Sequence, residues 1–173
     1  MKNWNEIITE VELDVAQLQQ KDELHPSFWK NKKFDSQIGS KLLKIANDFV
    51  TELELDDFVT DIVLTGSLAA FTWHAQSDID VHIMLNFSEI DENVDLVKEY
   101  LDSKRMSWNR SHNIQFNGHE VELYFQNTDE DHESLGLFSL KRGEWIQEPT
   151  KEEVKLDFLA IKSKAQAIIA EID

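Results

Sequence analysis

A chain of 173 residues, of which 41% are hydrophobic and 10% aromatic, can bury a core and lies in the size range of one domain. The formal charge of −17 at pH 7 argues against broad, sequence-independent binding to nucleic acid, because such binding depends on lysine and arginine at the phosphate backbone. The absence of cysteine excludes disulfides, thiolate metal sites and cysteine nucleophiles.

The hydropathy pattern disfavours two further classes of protein. No apolar run approaches the roughly 18 residues that a membrane-spanning helix needs. Residues 1–6 lack the charged-then-apolar layout of a signal peptide. We therefore expect a cytoplasmic protein without a membrane partner.

The first part of the chain predicts two helices joined by an aromatic connector. Apolar residues at helical spacing predict an amphipathic helix over 6–24, which His25-Pro26 ends. Residues 27–35 alternate aromatic residues with lysines, a pattern that fits either a strip for stacking on bases or a connector whose aromatic side chains fill the core; we favour the connector. A second helix is expected from a cap at Asp35 or Ser36 to about Leu53.

The middle of the chain alternates predicted strands with helical segments. The β-branched and apolar run 58–64 predicts a buried strand that stops at Thr65-Gly66-Ser67, and a second strand is expected over about 78–85. The stretch 68–73 between them is compatible with a short helix. Residues 88–104 predict a longer helix with an apolar inner face.

Two hairpins and a final helix complete the pattern. Residues 113–116 and 120–125 flank Asn117-Gly118, the strongest short hairpin signal in a sequence. Segments 135–140 and 144–146 predict a second hairpin, and a capping pattern at Thr150 predicts a helix over about 150–172. The economical interpretation is one α+β domain over residues 1–173, with a sheet over about 58–147.

Gly66 and Ser67 supply the first chemical signal. They follow a predicted strand and precede a predicted helix start, where backbone N–H groups lack intrahelical partners and the helix dipole favours an anion. A triphosphate tail fits such a position, with the Ser67 hydroxyl as an added donor.

Asp78 and Asp80 supply the second signal. They lie two apart on a predicted strand, so both side chains leave the same face while Ile79 and Val81 turn to the other. Two neighbouring ionised carboxylates repel each other, and a divalent cation relieves that repulsion at neutral pH. With no cysteine available, oxygen-ligated ions such as Mg²⁺ or Mn²⁺ are the natural candidates.

Glu120 and Glu122 repeat the arrangement on the predicted hairpin strand, and Tyr124 shares their face. If this strand lies beside the Asp78 strand, a third carboxylate completes a clamp for two metal ions. We assign that role to Glu122 and keep Glu120 as the alternative, because the phase of a predicted strand can be wrong by one residue.

At this point the pattern of Gly66-Ser67, ten intervening residues and Asp78-Ile79-Asp80 resembles the signature of the DNA polymerase β-like nucleotidyltransferase superfamily. A looser resemblance, to small single-domain nucleotidyltransferases found often in phage genomes, spans most of the chain. It is carried by Trp29, the 42–46 run into Phe49, the 121–124 strand, and the 138–140 hairpin with Trp145 and Pro149.

The resemblance implies a mixed β-sheet flanked by helices, of the polymerase β palm type, and a transferase that binds a nucleoside triphosphate. The implied reaction moves a nucleoside monophosphate to a hydroxyl or other acceptor, on a small molecule, a protein or a specific RNA end. Carried over by position, Gly66 and Ser67 hold phosphates, whereas Asp78, Asp80 and Glu122 bind two Mg²⁺ or Mn²⁺ ions. A phage-encoded member acts in the host cytoplasm.

The chain departs from the family pattern at two places. Many small members carry an arginine and a glycine soon after the serine, where this chain has residues 70–73 without either, and many have aspartate where it has Glu122. These departures keep open a non-catalytic, antitoxin-like or regulatory module with the same fold, although the intact Asp78 and Asp80 oppose it. A metal-dependent phosphohydrolase, which uses the same carboxylates with water in line, is a third hypothesis.

Overall fold

A computed structural model describes residues 20–130 and 134–151 of the chain. Its strands and helices, in chain order, are β1 (Trp29–Lys30), β2 (Lys33–Phe34), α1 (Ser36–Glu52), β3 (Val59–Thr65), β4 (Ile79–Leu85), α2 (Phe87–Ile90), α3 (Val94–Ser111), β5 (Gln115–Phe116), β6 (His119–Asn127), β7 (Leu137–Ser139) and β8 (Glu144–Gln147). Single 3₁₀ turns lie at Asp56–Phe58 and Ser67–Ala69.

The main sheet has six strands in the order β5-β6-β4-β3-β7-β8. β4 and β6 are parallel, whereas the other neighbouring pairs are antiparallel. A parallel pair needs a crossover connection, which α2 and α3 provide between β4 and β6. The expected α+β class, with a mixed sheet flanked by helices, is confirmed.

One face of the sheet forms the core with α1 and α3. Alternate residues of the two central strands are fully buried there, and so are residues of β6, because side chains point to opposite faces with a period of two. The strand members of this core are Ile62, Leu64, Ile79, Val81, Ile83, Val121 and Leu123; the helices contribute Leu42, Ala46, Phe49, Val97, Leu101 and Trp108. The same alternation sends the acidic residues of β4 and β6 to the opposite face.

The aromatic connector folds as a small hairpin, β1–β2. Its two turn residues, Asn31 and Lys32, have φ values of 52° and 60°, as expected of a two-residue turn that matches strand twist. Phe28 and Trp29 are 1% and 4% exposed, and the Trp29 indole N–H donates to the Leu68 carbonyl over 2.8 Å. The interpretation that these aromatic side chains fill the core is confirmed.

Two helix predictions need correction. Residues 20–24, the end of the helix expected over 6–24, are not helical; instead the Lys21 N–H donates to the Phe71 carbonyl over 2.6 Å. The helix expected over 88–104 is divided into α2 and α3, because the Asn93 side chain accepts from Leu96 N and caps a new helix start. The rest of the first helix, residues 6–19, and nearly all of the helix over 150–172 lie outside the described residues.

The other predicted elements match closely. Asp35 caps α1 by accepting from the backbone N–H groups of Gln37 and Ile38. Asn117 and Gly118 have φ values of 54° and 86°, so the β5–β6 hairpin has the predicted turn. Within residues 20–130 and 134–151, no helix is both long and apolar enough to cross a bilayer.

Candidate active site

Three acidic residues, Asp78, Asp80 and Glu122, lie near the start of β4. The two strands lie side by side with Asp80 directly opposite Glu122. Asp78 immediately precedes β4 and is exposed. The period of two places Asp80 and Glu122 on the face away from the helices, because their neighbours Ile79, Val81 and Leu123 are buried in the core.

The charges of this cluster act on one another. The pKa of Asp80 is raised to about 6, first by burial of the carboxyl, then by the negative charge of Glu122, and then by that of Asp78. A raised carboxyl pKa means that the folded site disfavours the ionised form. Either a proton on Asp80 or a bound cation relieves this cost.

The strand register also separates the two glutamates. Glu120 pairs across β5 with Gln115, whereas Glu122 pairs with Asp80 on β4. The charges that raise the pKa of Asp80 are those of Glu122 and Asp78. The structure thus brings Glu122 to the aspartates.

Gly66 lies directly against the Asp80 carboxyl group. Its φ of 70° and ψ of −161° belong to a region that is almost restricted to glycine. A Cβ added there would overlap Asp80 Oδ2 and lie 2.9 Å from Asp80 Cγ. The turn after β3 can approach the carboxylates this closely only because residue 66 has no side chain.

The segment after Gly66 differs from the expected helix start. Residues Ser67–Ala69 form a single 3₁₀ turn, and Ala70 has an extended backbone conformation. A helix dipole at this position is therefore not available to an anion, because the dipole requires several aligned turns. The phosphate-binding role predicted for this segment therefore loses its helix start and keeps the turn and the Ser67 hydroxyl.

Ser77 is a site residue that the sequence reasoning missed. It is 4% exposed, and its hydroxyl lies 2.7 Å from the Ser67 hydroxyl and accepts from the His74 N–H over 2.9 Å. Its carbonyl accepts from His119 Nδ1–H over 2.5 Å. Ser77 thereby joins the turn of Ser67 to Asp78, the next residue. The only sequence signal was its position directly before Asp78.

Tyr124 is the second residue that was not assigned a role. Its hydroxyl donates a short hydrogen bond to Glu122 Oε2. The sequence placed Tyr124 on the acidic face of β6 but could not show its partner. His82 lies two residues after Asp80 on β4 and shares a hydrogen bond of 2.6 Å with Gln126 Oε1.

The donor chemistry of the site fits a hard divalent cation. Carboxylate oxygens are the ligands that Mg²⁺ and Mn²⁺ prefer, and Asp78, Asp80 and Glu122 provide them. Over residues 20–130 and 134–151, no group of three or more acidic or histidine side chains is arranged so that it could hold a metal ion.

Comparison with protein families identified a matching family. The family described as "Nucleotidyltransferase domain" matches residues 42–143, which include β3, β4, β6 and the whole carboxylate cluster. Comparisons with curated proteins and with solved structures gave no significant match.

Proposed function

Because the chain belongs to the nucleotidyltransferase domain family, we propose that it transfers a nucleoside monophosphate from a nucleoside triphosphate to an acceptor hydroxyl or other nucleophile. In this reaction the acceptor oxygen forms a bond to the α-phosphorus, the bond between the α-phosphorus and the bridging oxygen breaks, and pyrophosphate leaves. The proton of the acceptor hydroxyl passes to solvent. The dependence on nucleoside triphosphate suits a cytoplasmic enzyme.

One observation carries the proposal: a side-chain-free turn at Gly66 touches Asp80, which itself lies opposite Glu122. Phosphate-binding and metal-holding residues have to be adjacent in this chemistry, because cations held by the carboxylates would neutralise charge on the phosphate. In the chain, the turn and the carboxylates come from β3, β4 and β6, three neighbouring strands of one sheet.

Each site residue has a distinct task in the proposed reaction. Asp78, Asp80 and Glu122 would hold two Mg²⁺ or Mn²⁺ ions, which when bound activate the attacking hydroxyl and neutralise the α-phosphate. Gly66 lets the turn lie against Asp80, where a side chain would overlap the carboxyl group. The Ser67 hydroxyl donates to Ser77 Oγ over 2.7 Å, which keeps it beside the turn, and would exchange that acceptor for a phosphate oxygen when a triphosphate binds.

The acceptor is proposed to be a small molecule, a protein or a defined RNA end. A general polymerase activity on long nucleic acid is not proposed, because a formal charge of −17 repels a phosphate backbone outside any local basic patch.

The test is transfer from α-labelled nucleoside triphosphates, each supplied with Mg²⁺ or Mn²⁺ and a cell extract as the source of acceptor. Three proteins are compared: the unaltered chain, the Asp78→Ala/Asp80→Ala double variant, and Glu120→Gln as a matched acidic control. We expect label in an acceptor with the unaltered chain and with Glu120→Gln, but not with the double variant. Metal-dependent triphosphate binding without any transfer would contradict the proposal and favour a regulatory module.

A further inference from the structure

Tyr124 and Glu122 form a pair on one face of β6. They are two residues apart, so the period of a strand brings both side chains to the face that carries Asp80. The Tyr124 hydroxyl donates to Glu122 Oε2. One of the two carboxylate oxygens of Glu122 is thereby occupied by a protein donor.

The ring of Tyr124 is held by neighbours from two other elements. The Arg105 guanidinium of α3 lies 4.7 Å from its centroid, and Arg105 Nε donates to Asp102 Oδ1 over 2.8 Å. The His82 ring of β4 lies 5.1 Å away at a tilt of 41°. A ring packed in this way directs its hydroxyl to a fixed place, so the hydrogen bond to Glu122 is preorganised.

The direction of this hydrogen bond follows from the chemistry of the two groups. A phenol has one hydrogen to donate, and an ionised carboxylate can only accept, so the Tyr124 hydroxyl is the donor and Glu122 Oε2 the acceptor.

The geometry points to Tyr124 as the positioning residue for Glu122: its hydroxyl holds Oε2 and leaves Oε1 as the oxygen that serves a cation beside Asp80. The inference rests on the proposed function, in which Glu122 is a metal ligand. A glutamate has one more rotatable bond than an aspartate, and ordering that bond costs conformational entropy. The hydrogen bond from Tyr124 fixes this longer side chain before the cation arrives.

Removing a residue that hydrogen-bonds to a metal ligand and orients it typically weakens metal affinity by roughly 10- to 100-fold. Tyr124→Phe removes only the hydroxyl and keeps the ring that packs on Arg105 and His82. Tyr100→Phe is the matched control, because Tyr100 is on α3 and 48% exposed. Both substitutions remove only a hydroxyl group, so we expect both variants to keep the fold.

The experiment measures Mn²⁺ binding to the purified chain by electron paramagnetic resonance, without triphosphate, and unfolding in urea in parallel. We expect Tyr124→Phe to weaken Mn²⁺ binding by roughly 10- to 100-fold, while Tyr100→Phe binds as the unaltered chain does. In a Glu122→Gln background, Tyr124→Phe should have no further effect on Mn²⁺ affinity. A purely structural tyrosine would change the urea midpoint but leave Mn²⁺ affinity unchanged.

The outcomes separate this inference from the proposed function. Equal Mn²⁺ affinity of Tyr124→Phe and the unaltered chain would overturn the role of Tyr124 and leave the transferase proposal standing. A weakened Tyr124→Phe together with no nucleotidyl transfer by the unaltered chain would support the positioning role and contradict the transferase. An unaltered chain that does not bind Mn²⁺ would contradict both.

Discussion

Replacing Gly66 with alanine should damage the site through one identifiable contact. The backbone at φ 70°, ψ −161° is almost restricted to glycine, and placing alanine there costs about 1–3 kcal/mol. The new Cβ would also overlap Asp80 Oδ2 and lie 2.9 Å from Asp80 Cγ, so the carboxyl group must leave its rotamer at a cost of about 0.5–1.5 kcal/mol. We expect Gly66→Ala to lower the free energy of unfolding by about 2–4 kcal/mol.

A double-mutant cycle with Asp80→Ala isolates that contact. Asp80→Ala removes the atoms that clash, so Gly66→Ala should cost about 0.5–1.5 kcal/mol less in this background than in the unaltered chain. Gly143→Ala is the control for the backbone term, because Gly143 has a φ of 67° and nothing within 4 Å of an added Cβ. Urea unfolding followed by tryptophan fluorescence, with a chelator present, measures all four variants. Additive effects of Gly66→Ala and Asp80→Ala would refute the close approach of the turn to the carboxylate.

Three further predictions concern charge, hydrogen bonding and a helix cap. The pKa of Asp80 in the folded chain is raised from 3.8 to about 6. The protonated carboxyl therefore favours folding at pH values below about 4, and this contribution is lost as the pH rises through about 6. The free energy of unfolding of Asp80→Asn in urea, relative to that of the unaltered, metal-free chain, should therefore rise by about 1–2 kcal/mol between pH 4 and 7, a figure reduced for the partial exposure of Asp80. A difference between the two proteins that does not change with pH would contradict this prediction. Ser77→Ala should weaken ATP binding in calorimetry about 10-fold, because it removes the acceptor that orients the Ser67 hydroxyl before the triphosphate binds. The exposed Ser88→Ala should bind ATP as the unaltered chain does, and equal affinities of Ser77→Ala and the unaltered chain would show that Ser77 is not needed. Asn93→Ala should lower the free energy of unfolding by about 1 kcal/mol, since the Asn93 side chain caps α3. An unchanged urea midpoint would show that this cap does not stabilise the fold.

Much of the site followed from local patterns. The alternation around Asp80 and around Glu122 predicts which face each carboxylate occupies, because a strand has a period of two whatever its partners are. Asn117-Gly118 predicts its hairpin for an equally local reason: asparagine and glycine tolerate the positive φ that the turn requires.

The relations between distant segments were not available from the sequence. The parallel register of β4 with β6 decides that Glu122, and not Glu120, lies opposite Asp80, and no local pattern encodes a register between strands joined through two helices. The partners of Ser77 and Tyr124 depend on the same packing. The start of α3 was predictable in principle, since Asn93 is a favoured N-cap residue within the segment that we predicted as one helix.

The most direct measurement of the central claim follows two labels of one nucleoside triphosphate in parallel reactions with Mg²⁺ and the acceptor-containing extract. One reaction carries the label on the α-phosphate and the other on the γ-phosphate. Our account predicts that the α label enters the acceptor and the γ label leaves as pyrophosphate, both only while Asp78 and Asp80 are intact. Release of the γ label as inorganic phosphate, or its transfer to the acceptor, would contradict nucleotidyl transfer at this site.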